Sequence, residues 1–379
     1  MSAKRVAILD SFRFLAIMSV MLFHFAYLWS NVYPYGRFFG DTFAYGYYGV
    51  QFFFIISGFV ICYTLENTSG MASFWKNRLI RLLPPMIVCS LITFLVFTAF
   101  DNNNFLPNSH EAKNFLPSLT FIHPGIWTML VRQRVNFCYI DYGYWSLWVE
   151  VQFYIVASAI FFANPGAFFR KLIMLALVIN ALNWIPTGFM LDPAGYHLPH
   201  FLQVSLPKIY FFTRMFDLKF YLNWFVIGAF FLRLFMKRKI KLLSLEGIGM
   251  SLLFINQFYC IDKWQLKVIY LVMLLLFCCM VYKESVLSFL DKPFLRRVGV
   301  LSYSIYLIHG PIGVLLIYKL GHYLGKWSPI MPLIVIFMAI GFGELSFRLY
   351  EKRTSTFLKK ILFKPKPAAL PVDIPVSAG

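Results

Sequence analysis

The sequence predicts an all-α, polytopic membrane protein with about ten transmembrane helices and both termini in the cytoplasm. Of its 379 residues, 60% are hydrophobic and only 13% are charged, and the mean hydropathy is +0.68. A soluble domain carries about 25% charged residues, so this chain lacks the charge to cover a water-exposed surface of its size. The composition therefore excludes soluble, disordered and disulfide-stapled folds and predicts a chain that lies mainly in the bilayer.

Apolar stretches along the chain define the predicted spans, since a helix needs about 20 mostly apolar residues to cross the membrane. The ten stretches are 10–30, 48–64, 79–100, 145–162, 169–188, 222–236, 247–260, 266–282, 299–320 and 328–348. We expect a membrane domain over 1–353, with long, ordered connections at 101–144 and 189–221. The remaining segment, 354–379, is predicted to be a basic, proline-rich, disordered cytoplasmic tail.

The basic residues predict how the chain is oriented. With the N-terminus in the cytoplasm, 24 of the 35 lysines and arginines fall on the cytoplasmic side and 11 on the other side. An excess of Lys and Arg in short loops marks the cytoplasmic face. The net charge of +19 is therefore attributed to topology, and no nucleic-acid partner is expected. The predicted location is the cytoplasmic (inner) membrane.

The first span carries three ionisable side chains, Asp10, Arg13 and His24. Charged groups inside a span are costly and by default mark function. Arg13 and His24 are about three helical turns apart, so they face the same way, with His24 about 16 Å further along the helix. Arg13 alone could reach lipid headgroups and His24 could be bonded within the bundle, but the pair on one face favours a functional role.

The fourth span contains Glu150, which is predicted to lie at the same depth as His24, roughly 8–9 Å below the outer end of each helix. An unpaired carboxylate at that depth would be expensive, so it needs a partner or a proton. We therefore predict that Glu150 pairs with His24 and orients it as a general base. The alternative is a structural salt bridge that locks two helices together.

Two further spans carry polar groups with competing interpretations. Arg78 and Arg81 lie one turn apart at the cytoplasmic start of the third span, an arrangement that suits phosphate but also plain anchoring at the membrane surface. Ser57, followed by a glycine in the second span, is more typical of close helix packing than of a nucleophile.

The ninth span places Tyr303 and His309 shortly before Pro311. Proline leaves a backbone carbonyl without its helical donor. The pattern predicts either a kinked functional site or only a kink. No metal site is expected anywhere in the chain.

Five sequence motifs follow one another along the chain. In order, they are Arg13-x10-His24 after Asp10, Gly49-Val50-x2-Phe53-Phe54-x2-Ser57-Gly58-Phe59, Phe74-x3-Arg78-x2-Arg81-x2-Pro84, Trp145-Ser146-Leu147-x2-Glu150 and Ser302-Tyr303-Ser304-x-Tyr306-Leu307-x-His309-x-Pro311. Together they resemble the acyltransferase-3 family of integral membrane O-acyltransferases, over residues from about 8 to 352.

The resemblance implies an enzyme that transfers an acyl group other than an aminoacyl group. The donor would be cytoplasmic acyl-CoA, most often acetyl-CoA, with no permanently bound cofactor. The acceptor would be a hydroxyl of an envelope glycan or lipid-linked saccharide, as in O-acetylation of O-antigen, exopolysaccharide or peptidoglycan. The resemblance implies that His24 is the catalytic group. From the resemblance together with the residue pattern, we predict His24 and Glu150 as the catalytic residues and Arg13, Arg78 and Arg81 as the acyl-CoA-binding residues. A supporting or acceptor site would contain Asp10, Ser57, Trp145, Ser146, Tyr303 and His309.

Two other functions compete with this interpretation. One is a transporter or flippase of a lipid-linked saccharide or anion, with Arg13, Glu150 and His309 along its pathway. Inverted repeats would support it, and the sequence contains none that we recognise. The other is a non-catalytic partner in a polysaccharide synthesis complex.

Overall fold

The computed structural model of the chain describes residues 7–102, 104–185, 205, 213–237 and 243–363. Within these ranges the chain is helical and contains no strand. The helices are α1 Ile8–Phe23, α2 Gly49–Glu66, α3 Met71–Phe100, α4 Phe115–Thr120, α5 Pro124–Leu130, α6 Trp145–Ala163, α7 Phe168–Asn183, α8 Leu218–Lys237, α9 Leu245–Tyr259, α10 Trp264–Tyr282, α11 Pro293–Leu320, α12 Met331–Ser346 and α13 Lys352–Leu362.

Each predicted span coincides with one of these helices, which confirms the all-α polytopic fold. Among the described residues, eight segments are long and apolar enough to cross a membrane, and the last of them, Pro293–Leu362, contains both α11 and α12. The seventh predicted span corresponds to α9, which has only 15 residues and falls short of the usual spanning length. The orientation of the termini stays a prediction.

Glycines allow the central helices to pack backbone against backbone. A Cβ at Gly58 of α2 would collide with the carbonyl of Phe225 in α8, and one at Gly228 of α8 would collide with the carbonyl of Ile55. The glycine beside Ser57 is thus the close-packing residue that the sequence suggested. Helix α1 packs against both α2 and α11, and α6 packs against α8, α2 and α3. This arrangement brings residues of α1, α2, α3, α6 and α11 around one central space.

Tyrosine hydroxyls cross-link the proline-containing helices. Pro311 has no N–H, so the carbonyl of Leu307 loses its helical donor, and the hydroxyl of Tyr144 donates to that carbonyl at 3.1 Å. The hydroxyl of Tyr303 in α11 donates to the carbonyl of Leu82 in α3 at 3.0 Å. The proline in α11 therefore creates an acceptor that fixes the start of α6 against α11.

The connection at 101–144 is ordered by its own polar side chains, as predicted for its composition. Asp101 accepts hydrogen bonds from the backbone N–H groups of Phe105 and Leu106 at 2.8 and 2.9 Å. The hydroxyl of Ser118 accepts from the N–H of Ile140 at 3.0 Å. These bonds fix the connection against itself, including Ile140 shortly before α6. The other long connection, 189–221, lies largely outside the described residues.

The segment predicted to be a disordered tail from 354 onward begins instead as an ordered helix. Helix α13 follows a π-helical turn, Phe347–Glu351, and folds against α3. The Lys76 ammonium of α3 donates to the carbonyl of Leu362 at 3.1 Å and lies over the ring of Phe363. The polar, basic composition led to the prediction of disorder. A helix that docks on another helix can be ordered without a continuous apolar run. Residues 364–379 lie outside the described part of the chain.

Candidate active site

A cavity with a volume of about 790 Å³ opens at the end of the bundle predicted to face the cytoplasm. We call it the basic cavity, because Arg13, Arg78 and Arg81 all line it, together with Asp10. A volume of this size is in the range of sites for small molecules and cofactors. The three arginines that the sequence assigned to acyl-CoA are therefore brought together around one space.

Arg78 is the most deeply buried cation of this cavity, with 7% of its surface exposed. Its Nη2 donates to the hydroxyl of Thr64 at 3.1 Å, and the guanidinium lies over the rings of Phe74 and Tyr154. Its Nε and Nη1 have no hydrogen-bond partner among the described residues. Since a buried donor without a partner is costly, Arg78 is poised for an anionic ligand.

The other two arginines differ in how far they are already neutralised. Arg13 donates through Nη1 to the carboxylate of Asp10 at 2.7 Å, and Asp10 is 3% exposed. Asp10 thus orients Arg13 within the same helix. Arg81 makes no hydrogen bond or ion pair with any residue in the described ranges, so its charge is available to the cavity.

A second, narrower cavity of about 80 Å³, which we call the inner passage, continues from the basic cavity into the bundle. The two spaces share Arg13, Arg78, Arg81 and Tyr303 as lining residues, so they meet at the arginines. The far end of the inner passage is lined by Ser146 and Tyr306. The hydroxyls of these two residues lie 2.7 Å apart, and that of Tyr306 also donates to the carbonyl of Gly143 at 3.0 Å.

Glu150 lies on the wall of the inner passage and is held by two hydroxyl groups. Its Oε1 accepts hydrogen bonds from Ser57 and from Tyr154, each at 2.6 Å. Ser57 therefore does more than pack, because its hydroxyl fixes the carboxylate. Trp145 lines neither cavity and packs instead on the rings of Tyr221 and Phe54.

His24 lies beyond the closed end of the inner passage, at the start of a π-helical turn, His24–Leu28. Such turns are rare and occur frequently at functional sites. The Nδ1 of His24 lies 3.2 Å from the hydroxyl of Tyr142, and its ring lies 5.2 Å from that of His309 between centroids. The ring of His309 is in turn 5.3 Å from that of Tyr306. A continuous line of rings therefore leads from the inner passage to His24.

His309 is 2% exposed, and its Nδ1 donates to the carbonyl of Tyr306 at 2.8 Å. A carbonyl only accepts, so in the neutral ring Nε2 carries the lone pair. That Nε2 is buried and has no partner within the part of the chain that the structure describes. His309 is thus a buried acceptor next to His24.

The predicted direct pairing of His24 with Glu150 is wrong. The hydrogen-bond partner of His24 is Tyr142, whereas Glu150 bonds to Ser57 and Tyr154, and no hydrogen bond or ion pair joins the two residues in the described structure. The prediction rested on the equal depth of the two residues in the membrane. Equal depth does not determine which neighbouring helix each side chain faces. Helix α6 presents Glu150 toward α2, while the π-helical turn after α1 presents His24 toward α11 and the segment before α6.

The sequence interpretation also missed Asp141 and Tyr142, which immediately precede α6. Asp141 is 1% exposed, and its Oδ1 accepts from the N–H of Gly143 at 2.6 Å, while Oδ2 has no partner among the residues described. Burial raises the pKa of this carboxyl to about 8. Gly310 of α11 leaves room for it, since a Cβ there would lie 3.1 Å from Oδ1. A lone aspartate in a polar loop gives no signal of burial, so sequence reasoning had little to find.

Comparison with known proteins identifies the family to which the chain is similar. A family model described as an acyltransferase domain matches residues 6–343. The O-acetyltransferase OatA of Staphylococcus aureus is 25% identical over 388 aligned residues, which cover 94% of this chain and 58% of that protein. The peptidoglycan O-acetyltransferase OatA of Listeria monocytogenes is 26% identical over 387 residues, which cover 92% of this chain and 56% of that protein.

The chain thus spans less than two thirds of the length of these curated relatives. No solved structure shows significant similarity to it.

Proposed function

Because the chain belongs to the acyltransferase family, we propose that it transfers an acetyl group from cytoplasmic acyl-CoA to a hydroxyl group of an envelope glycan. The family match and the apolar helices make the chain a membrane acyltransferase, which favours an enzyme over a transporter or a non-catalytic partner. Peptidoglycan is the proposed acceptor, since a relative over most of this chain is named as a peptidoglycan O-acetyltransferase.

The observation that carries the donor assignment is the basic cavity and its continuation into the inner passage. Arg78 has buried, unpartnered N–H groups, and Arg13 and Arg81 line the same space. Guanidinium groups match phosphate oxygens in charge and in the direction of their N–H bonds. The diphosphate of acyl-CoA would bind at these arginines, and its pantetheine arm would enter the narrow inner passage.

The acyl group would then approach Ser146 and Tyr306, which close the far end of the inner passage. Only the ring of His309 lies between Tyr306 and His24 along the contacts described above. A displacement of Tyr306 would connect the inner passage with the space around His24. Glu150, which Ser57 and Tyr154 hold on the passage wall, would keep the inner passage polar. It would therefore act on the bound donor rather than on His24.

His24 is the proposed general base for the acceptor. If its Nδ1–H donates to the oxygen of Tyr142, its Nε2 is free to take the proton of the acceptor hydroxyl. The acceptor oxygen forms the new ester bond to the acyl carbon as the carbon–sulfur bond of the thioester breaks. The proton on His24 then passes to the leaving thiolate, so the products are the acylated glycan and free CoA. Transfer through a transient acyl-histidine would use the same residue as nucleophile.

The direct test measures acyl transfer by the purified chain from isotope-labelled acetyl-CoA to peptidoglycan fragments. The wild-type protein should acetylate the fragments, and a folded His24→Ala variant should bind acetyl-CoA normally yet transfer nothing, because His24 lies outside both cavities. Normal transfer by that variant would end the catalytic role of His24. Mass spectrometry of envelope glycans from cells with and without the gene would identify the acceptor, and unchanged acetylation of every glycan would contradict the proposal.

The donor site has its own prediction. Arg78→Ala should weaken acetyl-CoA binding by roughly tenfold or more, since a hydrogen bond to a charged group contributes about 1.5–3 kcal/mol. Arg78→Lys should recover only part of the affinity, because an ammonium cannot reproduce the planar fork. Arg353→Ala, a charge removed from a helix face outside the cavity, is the matched control. Equal affinities in all four proteins would return Arg78 to a structural role.

A further inference from the structure

Helix α13 contributes one face to the basic cavity. The residues of α13 that line the cavity are Lys352, Ser355, Thr356 and Lys359. Their spacing of three, four and seven residues puts them on one side of a helix. Phe357 and Ile361 lie on the opposite side and are 62% and 53% exposed. The helix therefore has a polar, basic side toward the cavity and an apolar side away from it.

Hydrogen bonds at both ends fix helix α13 beside the basic cavity. Glu351, at the end of the preceding π-helical turn, accepts hydrogen bonds from the hydroxyls of Ser304 and Ser346 at 2.5 and 2.7 Å. At the other end of α13, Lys76 donates to the carbonyl of Leu362. Contacts at both ends thus hold the lysine-bearing side against the opening of the cavity.

The charge around the basic cavity exceeds what one diphosphate needs. Among the described residues, five cations line it, namely Arg13, Arg78, Arg81, Lys352 and Lys359. Two carboxylates of the described part of the chain also line it, and both are already engaged: Asp10 bonds to Arg13, and Glu351 accepts from two serines. The lining is therefore strongly positive, and the two lysines are separated from the inner passage by the three arginines.

The order of these groups matches the order of groups in a coenzyme A thioester. From the thioester outward, that molecule has a pantetheine arm, a diphosphate and an adenosine with a 3′-phosphate. From the inner end outward, the protein has the inner passage, the three arginines and the lysines of α13. We propose that Lys352 and Lys359 form the subsite for the 3′-phosphate of the acyl-CoA donor, an inference that rests on the proposed function.

Another phosphate could compete for the same lysines. The exposed apolar side of α13 suits the membrane interface, where basic side chains attract anionic lipid headgroups. Both ligands are phosphate esters, so lysine chemistry alone does not distinguish them. The position of Lys352 and Lys359 on the cavity side favours the donor, and a lipid headgroup would be met by lysines on the membrane side.

The test compares CoA with 3′-dephospho-CoA on the full chain in nanodiscs of neutral phosphatidylcholine. Wild-type protein should bind CoA about tenfold more tightly than dephospho-CoA, the size of one charge-assisted hydrogen bond. Lys359→Ala and the double variant Lys352→Ala/Lys359→Ala should lose this preference by weakening CoA alone. Lys360→Ala, which removes the same charge from a neighbouring position outside the cavity lining, should retain it. Lys359→Glu provides a second variant, expected to reverse the preference.

Each contrary outcome has a distinct meaning. Equal loss of affinity for CoA and dephospho-CoA, or no loss for either, would overturn the 3′-phosphate subsite while leaving CoA binding and the proposed function intact. An effect of Lys359→Ala that arises only when the nanodiscs contain anionic lipid would assign the lysines to headgroups instead. Failure of the wild-type protein to bind either nucleotide would overturn the donor assignment itself, and this subsite with it.

Discussion

At the scale of single residues, the hydrogen bonds of Glu150 and His24 divide the candidate site into two parts, which we propose to be a donor side and an acceptor side. Ser57 and Tyr154 hold Glu150 in the inner passage, and Tyr142 contacts His24 beyond the end of that passage. Because residues without shared partners act nearly independently, the two sides should respond separately to substitution.

Double-mutant cycles on acetyl transfer test this separation. Tyr142→Phe and Glu150→Gln should each slow transfer, and their effects on kcat/KM should add within about 0.3–0.5 kcal/mol. Ser57→Ala and Glu150→Gln remove the two ends of one hydrogen bond and should be non-additive by more than about 0.5 kcal/mol. Strong coupling between Tyr142 and Glu150 would restore a direct link between the two sides.

Asp141 makes the stability of the protein depend on pH. Its pKa of about 8 in the folded state lies well above the ordinary value of 3.8, so the folded protein holds this proton more tightly than the unfolded chain does. The stability associated with that proton is fully present below pH 4 and is lost as pH rises toward and through 8.

We therefore expect the thermal midpoint of the wild-type protein to fall between pH 5 and pH 8 more steeply than that of Asp141→Asn. The amide keeps the oxygen that accepts from Gly143 but does not titrate. Tryptophan fluorescence melts across this range measure the difference. Parallel curves for the two proteins would contradict a buried, protonated Asp141.

At the scale of the helices, close approach between α2 and α8 supports the wall of the inner passage. Gly58 contacts the backbone of Phe225, next to the serine that holds Glu150. Gly58→Ala should push the two helices apart and lower stability by about 1–3 kcal/mol, the usual cost of overpacking. Gly341→Ala, in α12 where a Cβ meets no atom within 4 Å, should be neutral. A thermal-shift assay that finds both variants unchanged would mean that α2 and α8 are not packed this closely.

Helix identity could be predicted from sequence, but helix contacts could not. Apolar runs of spanning length suffice to find α1 or α2, because the bilayer imposes that length. The partner of Glu150 depends instead on which helix α6 faces, and that is decided by long-range packing such as the glycine contacts of α2 with α8. Grouping of Arg78 and Arg81 was predictable from their spacing in one helix, whereas the approach of Tyr142 to His24 depends on the fold of a 44-residue connection, 101–144.

At the scale of the whole molecule, topology decides on which side each substrate must arrive. A single cysteine placed in 101–144 of a cysteine-free variant should react with an impermeant thiol reagent in intact cells. One placed in α13 should react only after the membrane is permeabilised, since the basic residues predict that the opening of the basic cavity faces the cytoplasm. The opposite labelling pattern would invert the donor and acceptor sides.

The closure formed by Ser146 and Tyr306 has a consequence for the energy balance of the cell. A path that carried an acyl arm across the bundle without such a closure would also conduct protons and small ions, and it would dissipate the transmembrane voltage. The two hydroxyls are bonded to each other at 2.7 Å and to the backbone at Gly143, and they close the far end of the inner passage. Under the proposed mechanism, this closure would let the protein present a reactive site at each membrane surface and remain an electrical insulator between turnovers.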